Sequence, residues 1–323
     1  MIIRQQATVL LRLLDRRPLL LAFLVSTIAL AFNIFYAFAY EIPAPRVHDE
    51  FSYILAGETF VNGRLTNETH PMHRYFTSFH IFHEPSYQSK YPPGQGLFLA
   101  LGRKIAGQPI AGVWISIALA CGAISWMARA QFSSGWSIIA GLLPIMSYHL
   151  NIHWGQSYWG GGAALLGGAL LIGAVFRIPT PTLPSAFLGG TGLFILSITR
   201  PMEGLLTAAL LLGTCLVLYR HQLRERATIL FWMILSIGGA SAIIFNIYYN
   251  VQLTGDAGTF PHTHWNTVAQ MDTAPQVLKE YTGSKLRTPA QELLRLGKYF
   301  LGPLAILVFV LAPPLRYRRA QVL

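Results

Sequence analysis

Apolar residues run along much of this chain in stretches close to the length a helix needs to cross a bilayer. These runs predict eight membrane helices, over residues 19–39, 109–128, 135–150, 161–176, 184–200, 202–219, 228–249 and 298–314. The third and fifth are short and carry proline or glycine. Backbone in hydrocarbon must satisfy its own hydrogen bonds, which leaves helices or a closed barrel. The alternation of a barrel strand is not visible, so helices are the reading. Residues 95–106 are apolar too, but at 1.5 Å per residue they reach only about 18 Å against a core of roughly 30 Å. They are expected to lie at the interface, with Arg103 and Lys104 near the headgroups. The predicted fold is all-α and polytopic, a single membrane domain over 1–323. Two long outer connections, 40–108 with its interfacial helices and 250–297, carry the ordered non-membrane part.

Composition agrees with that pattern. Hydrophobic residues make up 53% of the 323 and charged residues only 11%, with a mean hydropathy of +0.45. Soluble domains carry about a quarter charged residues. A net charge of +11 would suit nucleic acid, but the cations sit in short clusters between apolar runs, where they set topology. Arg4, Arg12, Arg16 and Arg17 precede the first span; Arg220, Arg224 and Arg226 follow the sixth; Arg316, Arg318 and Arg319 follow the last. Arg129 and Arg177 have the same parity, so this side is expected to be cytoplasmic, with both termini on it. Nucleic acid is therefore not an expected partner, whereas membrane lipids are. Cys121 and Cys215 lie in apolar runs without metal-ligand spacing and read as small core residues. Ala37-Phe38-Ala39 has the small-x-small form of a cleavage site, but the preceding run is too long for a signal peptide and more spans follow, so an uncleaved first span is expected.

Polar chemistry gathers on the other side. Every acidic residue except Asp15 and Glu225, and every histidine except His221, falls there. Asp49 and Glu50 stand just past the first span; being adjacent, their side chains diverge, so one can face a substrate while the other meets a cation or a helix end. Asp49 could equally be the N-cap of a helix beginning near Phe51. Lys90 precedes Tyr91-Pro92-Pro93, where the prolines stiffen the chain, and a positioned cation suits a phosphate or a lipid headgroup. Arg200 lies where two spans meet and could grip a phosphate or pair with Glu203. His262 and His264, with Glu50 or Glu84, are candidate ligands for a divalent metal, although H-x-H spacing is unspecific. His70-x-x-His73 and His80-x-x-His83 are equally unspecific. Trp154, Tyr158 and Trp159 suit an interfacial belt or a substrate groove. His48, Tyr53, Tyr91, Trp154, Tyr158 and Glu203 are the expected substrate contacts. Asn67-Glu68-Thr69 matches a glycosylation sequon. Phosphate-binding glycine loops, a dinucleotide fingerprint, HExxH and GxSxG are all missing, so no nucleotide cofactor is expected.

On Asp49-Glu50 after the first span, Lys90-Tyr91-Pro92-Pro93 at the end of a long outer loop, and Arg200-Pro201-Met202-Glu203, the chain resembles the GT-C superfamily of polytopic glycosyltransferases. It looks most like the bacterial branch related to protein O-mannosyltransferases and the lipid A aminoarabinose transferase, over roughly 15–205. The resemblance implies a polyprenyl-phosphate-linked sugar donor, a glycan, lipid or protein acceptor, and a periplasmic active site on the bacterial inner membrane. It implies Asp49 as general base with Glu50 assisting, Lys90 and Arg200 on the donor phosphate, and His262 or His264 at a metal. A sugar carbon attacked as phosphate leaves needs just such a carboxylate and cation. The rival classes are a transporter or flippase, which would carry ionisable groups deep in its spans, and a non-catalytic envelope subunit.

Overall fold

A computed structural model describes residues 13–76, 78–147 and 151–265. The described residues are mostly helical. Nine α-helices are described: α1 Pro18–Ala39, α2 His48–Val61, α3 Pro93–Ala106, α4 Ile110–Ala128, α5 Ser134–Met146, α6 Gly161–Val175, α7 Leu183–Thr199, α8 Pro201–Leu218 and α9 Arg226–Thr254. Of these, α1, α4, α8 and α9 are long and apolar enough to cross a membrane. The expectation of eight spans is not met among the described residues. The runs predicted at 135–150, 161–176 and 184–200 become α5, α6 and α7, of 13, 15 and 17 residues. At 1.5 Å per residue these reach about 20–26 Å, less than a bilayer core. The run at 298–314 lies outside the described residues, as does 250–297 beyond residue 265.

Local chemistry explains the boundaries. Pro18 and Pro93 open α1 and α3 at positions where a missing N–H costs nothing. Pro144 lies inside α5, which ends two residues later. Between α7 and α8 a single residue, Arg200, leaves the helical region (φ −139°, ψ 73°), because the following Pro201 disfavours α geometry there. Gly107 and Gly255 end α3 and α9 in the left-handed conformation that favours glycine.

The main core joins α4, α6, α7 and α9 through Trp126, Leu171, Leu193, Leu196, Phe231 and Leu235. At one end of the helices Arg129 meets Asp15 at 3.1 Å, while Arg177 donates to the Trp126 carbonyl at 2.7 Å and lies over its ring. The opposite end carries α2, α3 and the segment between them. That segment is pinned by a two-stranded antiparallel ribbon, β1 Ile81–Phe82 with β2 Gln88–Ser89, pairing Ile81 with Ser89 and Phe82 with Gln88. The sequon residue Asn67 is built into it: its amide donates to Thr59 Oγ1 at 2.7 Å and to the Tyr87 carbonyl. The interfacial helix expected at 95–106 is α3. One face packs on α2 and α4 through Leu99 and Gly102, and Leu97, Leu101 and Ile105 stay exposed. Both cysteines are free and buried.

Candidate functional site

The site is organised by the start of α2. Its N-cap is Val47, so Asp49 is not a capping residue; Glu50 has that task. Glu50 Oε2 accepts from the Arg46 and Val47 backbone N–H groups at 2.7 and 3.1 Å, and Oε1 accepts from the Tyr158 N–H at 3.0 Å. Buried to 4% exposure, this carboxylate fixes the backbone, which corrects its expected place beside the reacting groups. Tyr158 completes the rivet, donating its hydroxyl to the Pro43 carbonyl at 2.9 Å and accepting from Gln95 Nε2 at 3.0 Å. Its polar groups are thus taken by the fold and not presented to a substrate. Trp154 is placed elsewhere as well: its ring lies against Gly161, among Val25, Ala29 and Ile117 of the helix core.

Asp49, one residue earlier on the helix, turns to the other side. Its Oδ1 accepts a hydrogen bond from the Tyr91 hydroxyl and lies 3.2 Å from His80 Nε2, with the side chain about one-third exposed. Both contacts fall on Oδ1. Tyr91 stacks on Tyr53 with centroids 4.4 Å apart and planes 16° apart. Burial pushes the Tyr53 hydroxyl up to about 12, an effect the Arg200 charge opposes. Tyr91 is raised by burial and by its bond to Asp49.

Lys90 reaches the same cleft because its backbone is tied down. Its N–H donates to the His80 carbonyl at 3.1 Å, and Ser52 Oγ meets both that carbonyl and Ser89 Oγ at 2.7 Å. The Lys90 ammonium lies 3.9 Å from the Trp265 ring centroid and 5.3 Å from that of Tyr91. Burial lowers the lysine's pKa and the Asp49 charge pulls it back up, so the cation and the carboxylate feel one another. Arg200 is brought to this end by α3: Gly94, four residues past Lys90, packs directly on Thr199. Arg200 sits 3.8 Å from Glu203, both well exposed, so the ion pair is loose and the guanidinium is accessible. His48 lies against Phe79, with ring centroids 5.0 Å apart.

The proposed metal set does not converge. The Glu84 carboxylate is 3.1 Å from His73 Nε2, while His264 Nε2 meets the Glu84 backbone carbonyl at 3.3 Å and its ring lies edge-on to Phe82. Burial and the Lys90 charge both disfavour a proton on His262. A cation drawn to that imidazole would meet the same ammonium. Among the described residues no group of three His, Cys, Asp or Glu side chains is placed to hold an ion.

Two residues of the cleft escaped the sequence reading. In the sequence His80 is only half of an H-x-x-H pair, yet its Nε2 lies 3.2 Å from Asp49 Oδ1. It is the one described non-glycine residue with positive φ (64°), a strained conformation held by the bonds to its carbonyl. Burial, then the Lys90 charge, disfavours a proton on its imidazole, while the Asp49 charge favours one. Trp265, capping Lys90, carried no signal at all, because its approach depends on where α9 ends. No protein-family model matches the chain, and neither curated proteins nor solved structures give a match.

Proposed function

We propose that the protein is an integral membrane glycosyltransferase that moves a sugar from a polyprenyl-phosphate donor to a hydroxyl acceptor. The supporting observation is the meeting of Asp49 and Lys90 around Tyr91 and His80, although the two are far apart in sequence. In this reading the Asp49 end of the helices is extracytoplasmic, and the Asp15, Arg129 and Arg177 end is cytoplasmic. The span count beyond the four long helices belongs to the same proposal.

The chemistry assigns a task to each group. Tyr91 and His80 hold Asp49 Oδ1, which leaves Oδ2 to take the proton from the acceptor hydroxyl. As that oxygen bonds to the sugar C1, the C1–O bond to phosphate breaks and its electron pair leaves with the phosphate. Lys90 and Arg200 stabilise the phosphate's growing charge. Glu50 and Tyr158 act through the backbone that presents Asp49. No step requires a metal. A lipid-linked donor also accounts for a site at the ends of membrane helices without a nucleotide-binding motif. The test is transfer of radiolabelled sugar from lipid donor by purified protein, wild type against Asp49→Ala; equal rates would remove Asp49 from the mechanism and overturn the proposal.

A further inference from the structure

A second cavity opens on the far side of the α2 N-terminus from Asp49. It has a volume of about 580 Å³ and is walled by Tyr36, Tyr40, Glu50, His153, Gln156 and Trp159, among others. None of the cleft residues Asp49, Tyr53, His80, Lys90 or Arg200 lines it.

The layer behind its wall is polar. Asn33, fully buried in the middle of the apolar α1, accepts from Gln156 Nε2 at 3.1 Å and donates to the Ala29 carbonyl. A single π turn, Asn151–Gly155, brings Asn151 beside it: a Cβ on Gly155 would lie 2.7 Å from both asparagine Oδ1 atoms. Turns of this kind recur at functional sites. Among the described residues, Asn151 Oδ1, Gln156 Oε1 and Trp159 Nε1 are buried without a hydrogen-bond partner. Two of these residues, Gln156 and Trp159, line the cavity, and a buried polar atom is costly to leave unsatisfied unless something occupies its partner's place. One accepts and one donates, the complement of a ligand bearing hydroxyls.

The remaining chemistry narrows the class. Trp159 stacks against His153 (5.8 Å, 13°), which fixes an indole at the wall, and Tyr36 and Tyr40 add aromatic surface. An anion is disfavoured, because Glu50 is in the wall and the rim cation Arg46 is already paired with Glu41 at 2.7 Å. A hydrocarbon tail would leave the amide oxygens unsatisfied. We infer that this cavity binds a neutral saccharide ring, its C–H face on the aromatic surface and its hydroxyls on Gln156 and Trp159. The inference concerns binding and does not rest on the transferase reading.

The test uses the full-length chain in phosphatidylethanolamine–phosphatidylglycerol nanodiscs and saturation-transfer NMR. The probes are methyl β-D-glucopyranoside, methyl α-D-mannopyranoside and methyl β-D-xylopyranoside, with glycerol and inorganic phosphate as controls. At least one pyranoside is expected to bind saturably through its ring protons, without competition from phosphate. Trp159→Ala and Gln156→Leu should each weaken that binding about tenfold or more. Trp159→Phe keeps an aromatic face while losing the N–H and part of the ring surface; a several-fold loss there guards against a folding defect. No pyranoside binding above glycerol, equal binding in all three variants, or displacement by phosphate would overturn the inference. Saccharide binding without sugar transfer would leave it standing while sinking the transferase reading, and transfer without such binding would do the reverse.

Discussion

Asp49 and Glu50 are neighbours with opposite assignments, and substitution separates them. Asp49→Asn keeps the size of a side chain that is one-third exposed, so thermal stability should change by about 1 kcal/mol or less. Sugar transfer should fall by roughly 10²–10⁴, the usual share of a general base. Glu50→Ala leaves three backbone N–H groups without their acceptor and should lower stability by about 2–4 kcal/mol, read by unfolding in detergent. The histidines near the cleft give a pH dependence. His80, His83 and His262 all bind a proton less readily when folded, each chiefly because burial disfavours the charged form. The unfolded chain therefore takes up protons near the ordinary value of about 6.5 where the folded chain does not. Stability should be full above that value and decline as pH falls through it. Unfolding temperatures between pH 7.5 and 5 should drop less steeply in the triple variant His80→Gln, His83→Gln, His262→Gln. At this scale the two charges, Asp49 and Lys90, were legible because each stood at a landmark of the sequence, a span end and a proline pair. Glu50's capping role was hidden by its N-cap: Val47 has no side-chain acceptor, so the usual two-residue signature is only half present. His80 was illegible, since nothing in its spacing reports a left-handed backbone.

Elements set the distance between the cations. Gly94 lies at the start of α3, and a Cβ there would come within 3.0 Å of Thr199 Cα, the residue before Arg200. Gly94→Ala must therefore push α3 from the α7–α8 junction, costing about 1–3 kcal/mol in strain. The displacement should cost more in function than in folding: a shift near 1 Å can lower a rate about 100-fold. Measuring transfer beside the unfolding temperature checks whether the loss of rate exceeds the loss of stability. The helices themselves could be read from apolar runs, and their ends from Pro18, Pro93, Pro201 and Gly255. The runs of α5 and α7 already read as short, with proline or glycine in them; that of α6 did not. The close approach of α6 to α7 at Gly167 and Gly192 is a contact made between segments rather than along one. The ribbon that joins Asp49 to Tyr91 is likewise a pairing of two-residue strands, too brief for any alternation to appear.

For the whole molecule, sidedness is the property on which the functional reading stands. Both native cysteines are buried, at 0% and 4% exposure, so they should stay silent toward a membrane-impermeant maleimide. Glu68→Cys, in the segment between α2 and β1, should label on intact cells, and His221→Cys only after permeabilisation. The reverse pattern would turn the molecule over and remove the site from the outer face. One feature of the long α9 bears on how the site is held. Its 29 residues extend about 43 Å, well beyond a core of roughly 30 Å, and its far end supports the ribbon through Phe82 against Tyr249 and Leu253 and through Ser86 Oγ on the Leu253 carbonyl at 2.9 Å. The surplus makes α9 a mast whose lean answers to lipid chain length. Reconstituted into short-chain and long-chain phosphatidylcholines, the protein should transfer sugar at different speeds with its unfolding temperature little changed, because the bilayer decides how high above its surface the Asp49 carboxylate rides.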